Sequence, residues 1–162
     1  MKPLACVPLT PEAFAPFGQV IETGGEPITI NAGFARRYND RCTVDVAAGG
    51  GETNVSVFVA RARILPLSIT MMERHPLGSQ AFMPLQERPW LAVVCTDPDD
   101  RSSYRAFACT GTQGVNYAVN TWHFPLITFV DGDRFLVVDR KGPGNNLEER
   151  FLPEDRHLTV VL

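Results

Sequence analysis

Four polar side chains have the types and spacing that a metal-binding or proton-transfer site requires. Glu73 and His75 lie two positions apart at the end of an apolar run, so on an extended chain they share one face. Gln80 follows after a turn, and His123 belongs to a second polar segment further along the chain. Carboxylate, imidazole and amide groups can bind a divalent metal or an oxygen-rich substrate. These four residues are therefore the predicted functional site, whereas His157 is expected to be an ordinary surface residue.

The elements that must position these side chains are predicted to be short strands. Glycine and proline number 13 each among 162 residues, which favours many strands and turns over a helical bundle. Thr10 is predicted to cap a short helix, and residues 147–150 are predicted to form a helical turn. The strand-like runs lie at 19–22, 28–31, 42–46, 54–60, 67–73, 80–84, 90–96, 104–109, 115–117, 127–131, 135–139 and 157–161. The sequence therefore predicts one all-β domain over residues 1–162, a sandwich or barrel with a few short helices.

Composition and charge exclude several classes of function. The net charge of -3 offers no basic excess to neutralise nucleic acid or an anionic membrane. The longest apolar stretches, 90–95 and 124–130, are far shorter than the ~20 residues that span a bilayer, and residues 1–8 do not resemble a secretory signal. The four cysteines form no C-x-x-C pair and are expected to be reduced thiols. We therefore expect a cytoplasmic protein that binds neither nucleic acid nor membrane.

The spacing of the four polar residues resembles the two-motif pattern of cupins. In that pattern two ligand positions separated by one residue precede a glutamate or glutamine, and a distant histidine joins them inside a small β-barrel. Glu73, His75, Gln80 and His123 stand at these positions, with Glu73 in place of the usual first histidine. The resemblance implies a cupin-like double-stranded β-helix, or jelly-roll barrel.

Longer segments resemble the ureidoglycolate lyase family of allantoin degradation. The resemblance is carried by residues 73–84 (ERHPLGSQAFMP), 113–117 (QGVNY) and 122–126 (WHFPL), with further similarity at 9–22, 37–40 and 139–140. It covers essentially the whole chain and implies a homodimer that cleaves (S)-ureidoglycolate to glyoxylate and urea. It also implies a divalent metal, nickel being the one associated with the family. Members of the family often carry additional histidines where this chain has Ala118 and Phe124, which argues against a histidine-rich metal site.

The implied reaction needs a base for the C2 hydroxyl proton, a donor for the departing urea and a cation for the carboxylate. A neutral imidazole is a suitable base near pH 7. We assign the base to His123 or Glu73, and the orientation of substrate or metal to His75 with Gln80. Alternatively, a metal held by His75, Gln80 and His123 could polarise the hydroxyl and carboxylate oxygens of the substrate. Replacing either histidine with alanine should abolish turnover and leave the fold intact.

An arginine fork is the natural clamp for the substrate carboxylate, and several side chains are candidates. Arg74 is the weaker one, because it alternates with the neighbouring site residues and should point away from their face. The others are Arg36, Arg37 and Tyr38, in a segment that could cover the mouth of the barrel, and Tyr104 and Arg105, on a predicted strand.

Two other functions are compatible with the sequence. One is another cupin enzyme, an isomerase or dioxygenase acting on a small hydroxy or keto acid, although dioxygenases usually need more histidine ligands for iron than this chain offers. The other is a non-catalytic barrel that binds a ureido acid without turnover. The residues do not distinguish release of urea from an amidohydrolase route. The lack of a Cys/His or Ser/His/Asp constellation mildly favours the lyase.

Overall fold

The computed structural model describes residues 2–162, and nearly all of its regular structure is β, which confirms the predicted fold class. The strands are β1 (Lys2–Pro8), β2 (Gly18–Ile21), β3 (Ile28–Ile30), β4 (Ala35–Arg37), β5 (Glu52–Val59), β6 (Leu67–Ile69), β7 (Met71–Arg74), β8 (Gln80–Pro84), β9 (Trp90–Cys95), β10 (Arg105–Cys109), β11 (Gly114–Tyr117), β12 (Trp122–His123), β13 (Arg134–Lys141), β14 (Glu148–Phe151) and β15 (Leu158–Val161). The helices are α1 (Pro11–Phe14) and the single 3-10 turns Asn31–Gly33, Ala48–Gly50, Arg101–Ser103 and Glu154–Arg156. Within residues 2–162, no helix is long and apolar enough to cross a membrane.

Two large sheets make up the cupin-like β-sandwich. The first has eight strands in the order β14-β7-β12-β9-β10-β1-β15-β6 and curls into a half-barrel. The second has five antiparallel strands in the order β2-β11-β8-β13-β5. Strands β3 and β4 pair with each other and form a separate two-stranded hairpin.

Strand β9 shows how the two sheets pack, because all six of its residues are buried. Trp90, Ala92 and Val94 belong to the hydrophobic cluster between the sheets. Leu91 and Val93 belong to a second cluster, which lies on the other face of the eight-stranded sheet. A continuous apolar run is expected where both faces of a strand are covered, and this run is the most apolar of the predicted strands.

The short helix begins where the sequence predicts. The Thr10 hydroxyl accepts a hydrogen bond from the Ala13 amide at 3.2 Å, and Phe14 is fully buried in the cluster between the sheets. Gly18 follows because its backbone lies against β11, where a Cβ atom would be 1.9 Å from the Asn116 carbonyl oxygen. Only glycine allows this approach.

The prediction of a strand over residues 42–46 is wrong. These residues cross the outer face of the five-stranded sheet and hydrogen-bond to side chains instead of a neighbouring strand. The Thr43 amide donates to the Gln19 side chain at 2.8 Å, and the Asp45 amide donates to the Ser79 hydroxyl at 2.8 Å. We call residues 39–51 the strap.

Two further predictions near the second motif and the C-terminal part are also wrong. Residues 127–131 form no strand and make only an isolated bridge between Ile127 and Leu91. Residues 147–150 do not form a helical turn, because Glu148–Phe151 is strand β14, paired with β7 at the edge of the sheet. A polar edge strand of this kind lacks the apolar alternation by which strands are recognised.

Strand β1 was not predicted because of its prolines, which lack the amide donor of a strand. The structure accommodates Pro3 and Pro8 because the strand changes partner along its length. Its first half pairs in parallel with β15 and its second half with β10. Each half therefore needs hydrogen bonds on one side only.

Candidate functional site

The first polar motif connects the two sheets. Strand β7 lies in the eight-stranded sheet beside β12, whereas β8 lies in the five-stranded sheet between β11 and β13. The turn over residues 75–79 therefore bridges the sheets, and β7 and β8 do not pair with each other. Gly78 fits in this turn because a Cβ atom there would be 2.7 Å from Cβ of Arg140.

The structure brings the predicted site residues of both motifs together. His123 on β12 is the direct cross-strand partner of Glu73 on β7, and its Nε2 lies 3.4 Å from Glu73 Oε1. The ring of His75 is 5.3 Å from the ring of His123, measured between centroids. The ligand atoms of Glu73, His75 and His123 all lie within 4.8 Å of one another.

Backbone carbonyls determine which nitrogen of each imidazole is free. Nδ1 of His75 lies 2.7 Å from the Asn146 carbonyl oxygen, and Nδ1 of His123 lies 2.9 Å from that of Thr121. Because a carbonyl only accepts, each Nδ1 carries the proton, and each Nε2 of a neutral ring keeps its lone pair. Both Nε2 atoms are buried, and neither has a hydrogen-bond partner among residues 2–162.

The Gln80 side chain is fixed in a similar way. Its amide nitrogen donates to Asp139 Oδ2 at 3.2 Å, while Asp139 Oδ1 accepts from the Asn54 amide at 3.0 Å. The carbonyl oxygen of the Gln80 side chain is therefore not used by this hydrogen bond. It too is buried and has no hydrogen-bond partner among residues 2–162. Gln80 lines the same cavity as Glu73 and His123.

These four side chains, Glu73, His75, Gln80 and His123, form an acceptor cluster. It offers a carboxylate, two imidazole nitrogens and an amide oxygen, and none of the last three has a donor among residues 2–162. Buried acceptors without partners are costly, so the cluster needs a proton, a substrate donor or a cation. Imidazole nitrogens and carboxylate or amide oxygens are ligands that suit a first-row divalent metal. The hydrogen bonds from each Nδ1 to a backbone carbonyl fix the orientation of the two imidazole rings, as is usual for metal-binding histidines. Glu73, His75 and His123 are thus a group that could hold a metal ion.

Glu73 is the one acid of the cluster and stays ionised. Burial alone would raise the pKa of Glu73. The polar contact with His123 and the positive charges that His123 and His75 can carry have the larger effect, so the net pKa is lowered. The carboxylate therefore stands ready to stabilise a positive charge on His123.

Tyr117 lies directly against His123. The two rings stack with centroids 4.2 Å apart and planes within 9° of parallel. Burial, together with the charges of Cys109 and Glu73, raises the pKa of the Tyr117 hydroxyl, so the phenol is neutral. The stack fixes the plane of the imidazole ring and hence the direction of its free nitrogen.

A cavity of about 510 Å³, a size typical of small-molecule sites, is lined by Glu73, Gln80 and His123 of this cluster. The His75 ring lies beside that of His123 and is not part of the lining. The cavity is lined by aromatic and apolar side chains together with a few polar ones. The polar and aromatic lining includes Glu73, Gln80, Tyr117, His123, Arg61 and Arg63.

The other predicted substrate-binding residues lie outside the cavity lining. Arg74 points away from the cluster, as its alternation predicts, forms an ion pair with Glu148 at 2.7 Å and stacks over the Trp122 ring. Tyr104 is buried in the second hydrophobic cluster, where its hydroxyl donates to the Pro98 carbonyl at 2.9 Å. The remaining candidates are Arg36 and Arg37, exposed on strand β4, the half-buried Tyr38, which follows it, and the exposed Arg105.

His157 is half-buried rather than an ordinary surface residue, because its Nε2 contacts the Leu152 carbonyl oxygen at 2.9 Å.

Sequence reasoning missed two arginines of the cavity. Arg61 and Arg63 follow directly after strand β5 and line the cavity beside the acceptor cluster. The available signal was their alternation immediately beyond a strongly β-patterned run, which places both on one side of an extended chain.

Fold and site together define a cupin-like β-sandwich with a small-molecule cavity and a candidate metal or proton-transfer centre. Residues 1–160 match the family described as ureidoglycolate lyase. A ureidoglycolate lyase of Burkholderia mallei (strain NCTC 10229) is 52% identical over 161 residues, covering 98% of this chain and 95% of the relative. One of Stutzerimonas stutzeri (strain A1501) is 50% identical, covering 99% and 96%, and ureidoglycolate lyase 1 of Rhizobium meliloti (strain 1021) is 51% identical, covering 90% and 87%. The chain belongs to the ureidoglycolate lyase family.

Proposed function

We propose that this protein is a lyase that cleaves (S)-ureidoglycolate to glyoxylate and urea in allantoin degradation. The observation that carries the proposal is the acceptor cluster. Three of its residues, Glu73, Gln80 and His123, line a small-molecule cavity, and its two Nε2 atoms and the Gln80 oxygen have no hydrogen-bond partner among residues 2–162. Such atoms suit the hydroxyl and amide donors of a ureido acid. The family and its relatives at about half identity supply the particular substrate.

The reaction transfers one proton within the substrate, and His123 is suited to carry it. As the C2–N bond breaks, its electron pair stays on the urea nitrogen, and the C2 hydroxyl becomes the aldehyde of glyoxylate by losing its proton. Nε2 of His123 has the free lone pair that takes this proton, because the ring's other nitrogen donates to Thr121. The same Nε2 returns the proton to the urea nitrogen, so atoms and charges balance.

Glu73 and the remaining members of the cluster support this transfer. The Glu73 carboxylate, 3.4 Å from His123 Nε2, stabilises the imidazolium while the proton is held. His75 Nε2 and the Gln80 carbonyl oxygen accept hydrogen bonds from the substrate amide and so orient the leaving urea.

The cluster also fits a divalent metal, and we propose nickel, the metal that the family resemblance implies. Glu73, His75 and His123, with Gln80, are the residues that would hold it. Bound there, it would supply Lewis acidity towards the hydroxyl and carboxylate oxygens of the substrate. In that case His123 acts as a ligand rather than as the base.

Glyoxylate formation from racemic ureidoglycolate, followed with a coupled reductase, tests the proposal. We expect glyoxylate and urea in equal amounts, and the assay is run with and without chelator and with added Ni²⁺. Loss of activity with chelator and recovery with Ni²⁺ assigns the cluster to a metal; unchanged activity assigns it to proton transfer. His123→Ala is expected to form no glyoxylate under either condition, and its matched control is His157→Gln, which changes a histidine outside the cavity.

Four outcomes would contradict the proposed function. Absence of glyoxylate under every condition, from folded protein, overturns it. Binding of ureidoglycolate without turnover identifies a sensor, and ammonia in place of urea identifies an amidohydrolase. Turnover of other hydroxy or keto acids at a higher kcat/KM identifies another cupin enzyme.

We also propose that the protein is a homodimer that pairs through the outer face of β5. Val55, Val57 and Val59 on this edge strand are 64%, 56% and 68% exposed. Leu136 and Val138 on the neighbouring β13 continue the apolar surface. An exposed apolar face on a long edge strand marks an interface or an aggregation hazard.

Light scattering after size exclusion tests this interface. Val57→Asp is expected to give a monomer, because it places a charge in the middle of the apolar face. Phe34→Asp is the matched variant, since Phe34 is 93% exposed on the separate β3–β4 hairpin. A dimer that survives Val57→Asp and is lost with Phe34→Asp would place the interface at the hairpin instead.

The four free cysteines support a location in the reducing cytoplasm, which we propose for this protein. Cell fractionation is expected to recover the protein with cytoplasmic markers. Recovery with periplasmic or membrane markers would contradict the assignment.

A further inference from the structure

The cavity has a positively charged part that the acceptor cluster does not use. Arg61 and Arg63 line it together with Glu73, Gln80 and His123. Arg63 is half-buried, and Arg61 is exposed. Among residues 2–162, neither arginine forms an ion pair with a carboxylate, unlike Arg74, Arg88, Arg150 and Arg156.

Arg63 is held so that part of its guanidinium remains free. Its backbone amide donates to the Thr128 carbonyl at 2.8 Å, and its Nε donates to the Leu126 carbonyl at 3.3 Å. The guanidinium carbon lies 5.0 Å from the centre of the Phe124 ring, which supports the plane of the group. Neither terminal nitrogen has a partner within the described chain, so the two-pronged end of the fork is available to a ligand.

Arg61 has a fixed backbone and an unpaired side chain. The backbone amides of its two neighbours donate to the turn at residues 131–133. The Ala60 amide donates to the Asp133 carbonyl at 2.8 Å, and the Ala62 amide donates to the Asp131 carboxylate at 2.7 Å. The Gly132 amide donates back to the Ala60 carbonyl at 2.9 Å. These backbone hydrogen bonds therefore hold Arg61 at the cavity, while its guanidinium has no ion-pair partner among residues 2–162.

We propose that Arg63, assisted by Arg61, binds the substrate carboxylate and makes the carboxylate a requirement for efficient turnover. The inference rests on the proposed function. Ureidoglycolate carries its carboxylate on C2, the carbon that also carries the hydroxyl and the departing urea. The Glu73 carboxylate repels that anion, whereas the free fork of Arg63 matches its two oxygens. The substrate is thereby oriented, with its carboxylate towards the arginines and its hydroxyl and amide donors towards the acceptor cluster.

Binding of oxamate, an anionic analogue of glyoxylate, gives a test that does not depend on turnover. In isothermal titration calorimetry, Arg63→Gln is expected to weaken oxamate about 10- to 100-fold, the usual effect of losing a hydrogen-bonded charge partner. Arg61→Gln should weaken it about 3-fold, because an exposed charge contributes less. Arg63→Lys should fall between, since it keeps the charge and loses the fork.

Arg101→Gln is the matched control, because Arg101 lies outside the cavity and contacts the Arg156 carbonyl. Oxamate affinity should not change in this variant. An unchanged affinity in folded Arg63→Gln would overturn the proposal. If Arg63→Gln does not fold, an unchanged affinity in Arg63→Lys, together with wild-type affinity in Arg61→Gln, would overturn it equally.

Hydroxymethylurea, which has the hydroxyl and the urea but no carboxylate, separates this proposal from the proposed function. The ratio of kcat/KM for ureidoglycolate to that for hydroxymethylurea should fall about 10- to 100-fold in Arg63→Gln, because only the first substrate uses the arginine. A normal ratio in Arg63→Gln, with His123→Ala inactive, contradicts the arginine clamp and leaves the lyase intact. If the wild type does not turn over ureidoglycolate, the proposed lyase activity is wrong. Oxamate binding still tests whether Arg63 binds a carboxylate.

Discussion

The acceptor cluster and Arg140 are two buried polar regions on either side of the same turn, and they differ in how their hydrogen bonds are used. Arg140 is 7% exposed and contacts backbone carbonyls throughout: Ala48 at 3.0 and 2.8 Å, Gly49 at 3.4 Å and Pro143 at 2.8 Å. In the cluster, three buried polar atoms have no hydrogen-bond partner among residues 2–162. A buried polar group that only stabilises the fold is expected to be paired. We therefore propose that the unpaired region is the one that binds a ligand.

Adjacent residues of β13 serve the two regions. Asp139 faces the cavity side and fixes the Gln80 amide, whereas Arg140 faces the outer side and holds the strap against the sheet. Alternation along one strand thus separates a positioning residue from a structural one. Substitutions in the cluster should lower kcat far more than they lower stability, and substitutions at Arg140 should lower stability and leave kcat unchanged.

The largest effect is expected in the cluster itself. His123→Ala and His75→Ala should each lower kcat about 10³-fold, in the range usual for loss of a proton-transferring or orienting group. Both variants should remain folded but lose about 1–3 kcal/mol in the free energy of unfolding, because each alanine leaves a backbone carbonyl, that of Asn146 or Thr121, without its Nδ1 donor. Steady-state glyoxylate formation and urea titration measure the two quantities. Full activity in both variants would refute the assignment of the cluster as the catalytic site.

Arg140→Met should show the opposite pattern. It leaves the carbonyls of Ala48 and Pro143 without their donor, so the free energy of unfolding should fall by about 2–4 kcal/mol. The kcat of the folded fraction should be unchanged. Lys141→Met is the matched control on the same strand, because Lys141 is 60% exposed in its weak ion pair and should change stability by less than about 0.5 kcal/mol. Urea titrations of the three proteins measure this difference, and an equal loss in both variants would contradict it.

The sequence predicted local features well because alternation and turn residues are local signals. The exact bounds of β8 and the cap at Thr10 are examples. It also identified the four residues that come together as the acceptor cluster, since their spacing reflects an extended segment and a turn. By contrast, the strap at residues 42–46 has the alternation of a strand but hydrogen-bonds to side chains, which no local pattern reveals.

The parts that were missed depend on distant pairing. That β7 and β8 belong to different sheets is decided by their neighbours β12 and β13, not by the turn between them. Arg61 and Arg63 reach the cavity because residues 131–133 and Thr128 hold the backbone around them. These contacts link segments that are far apart in the chain, so the arginine candidates chosen from local context, such as Arg36, lie elsewhere.

Asp139→Asn tests the boundary between the two regions. The two oxygens of Asp139 accept from Gln80 and Asn54, and an asparagine offers only one oxygen, so one of these amides must turn over. If the Gln80 amide turns, its nitrogen replaces its oxygen in the cluster. We expect kcat/KM to fall about 10-fold, the lower end for loss of an outer-shell partner. Glu52→Gln, an exposed acid at the start of β5, is the control, and an equal loss in both would contradict the positioning role of Asp139.

The smallest effect is expected at Tyr117, which belongs to the hydrophobic core and yet touches the cluster. Tyr117→Phe keeps the ring that stacks on His123 and should keep kcat within about 2-fold. Tyr117→Leu removes the stack and should lower kcat about 5-fold, as expected for an aromatic pair worth about 1 kcal/mol. Glyoxylate formation at saturating substrate measures both. Rescue by phenylalanine is the outcome that distinguishes a ring that positions the imidazole from a hydroxyl that donates to the substrate. An equal loss of kcat in both variants would show that the Tyr117 hydroxyl, rather than its ring, contributes to the reaction. Tyr117 would then belong to the reacting groups and not only to the hydrophobic core.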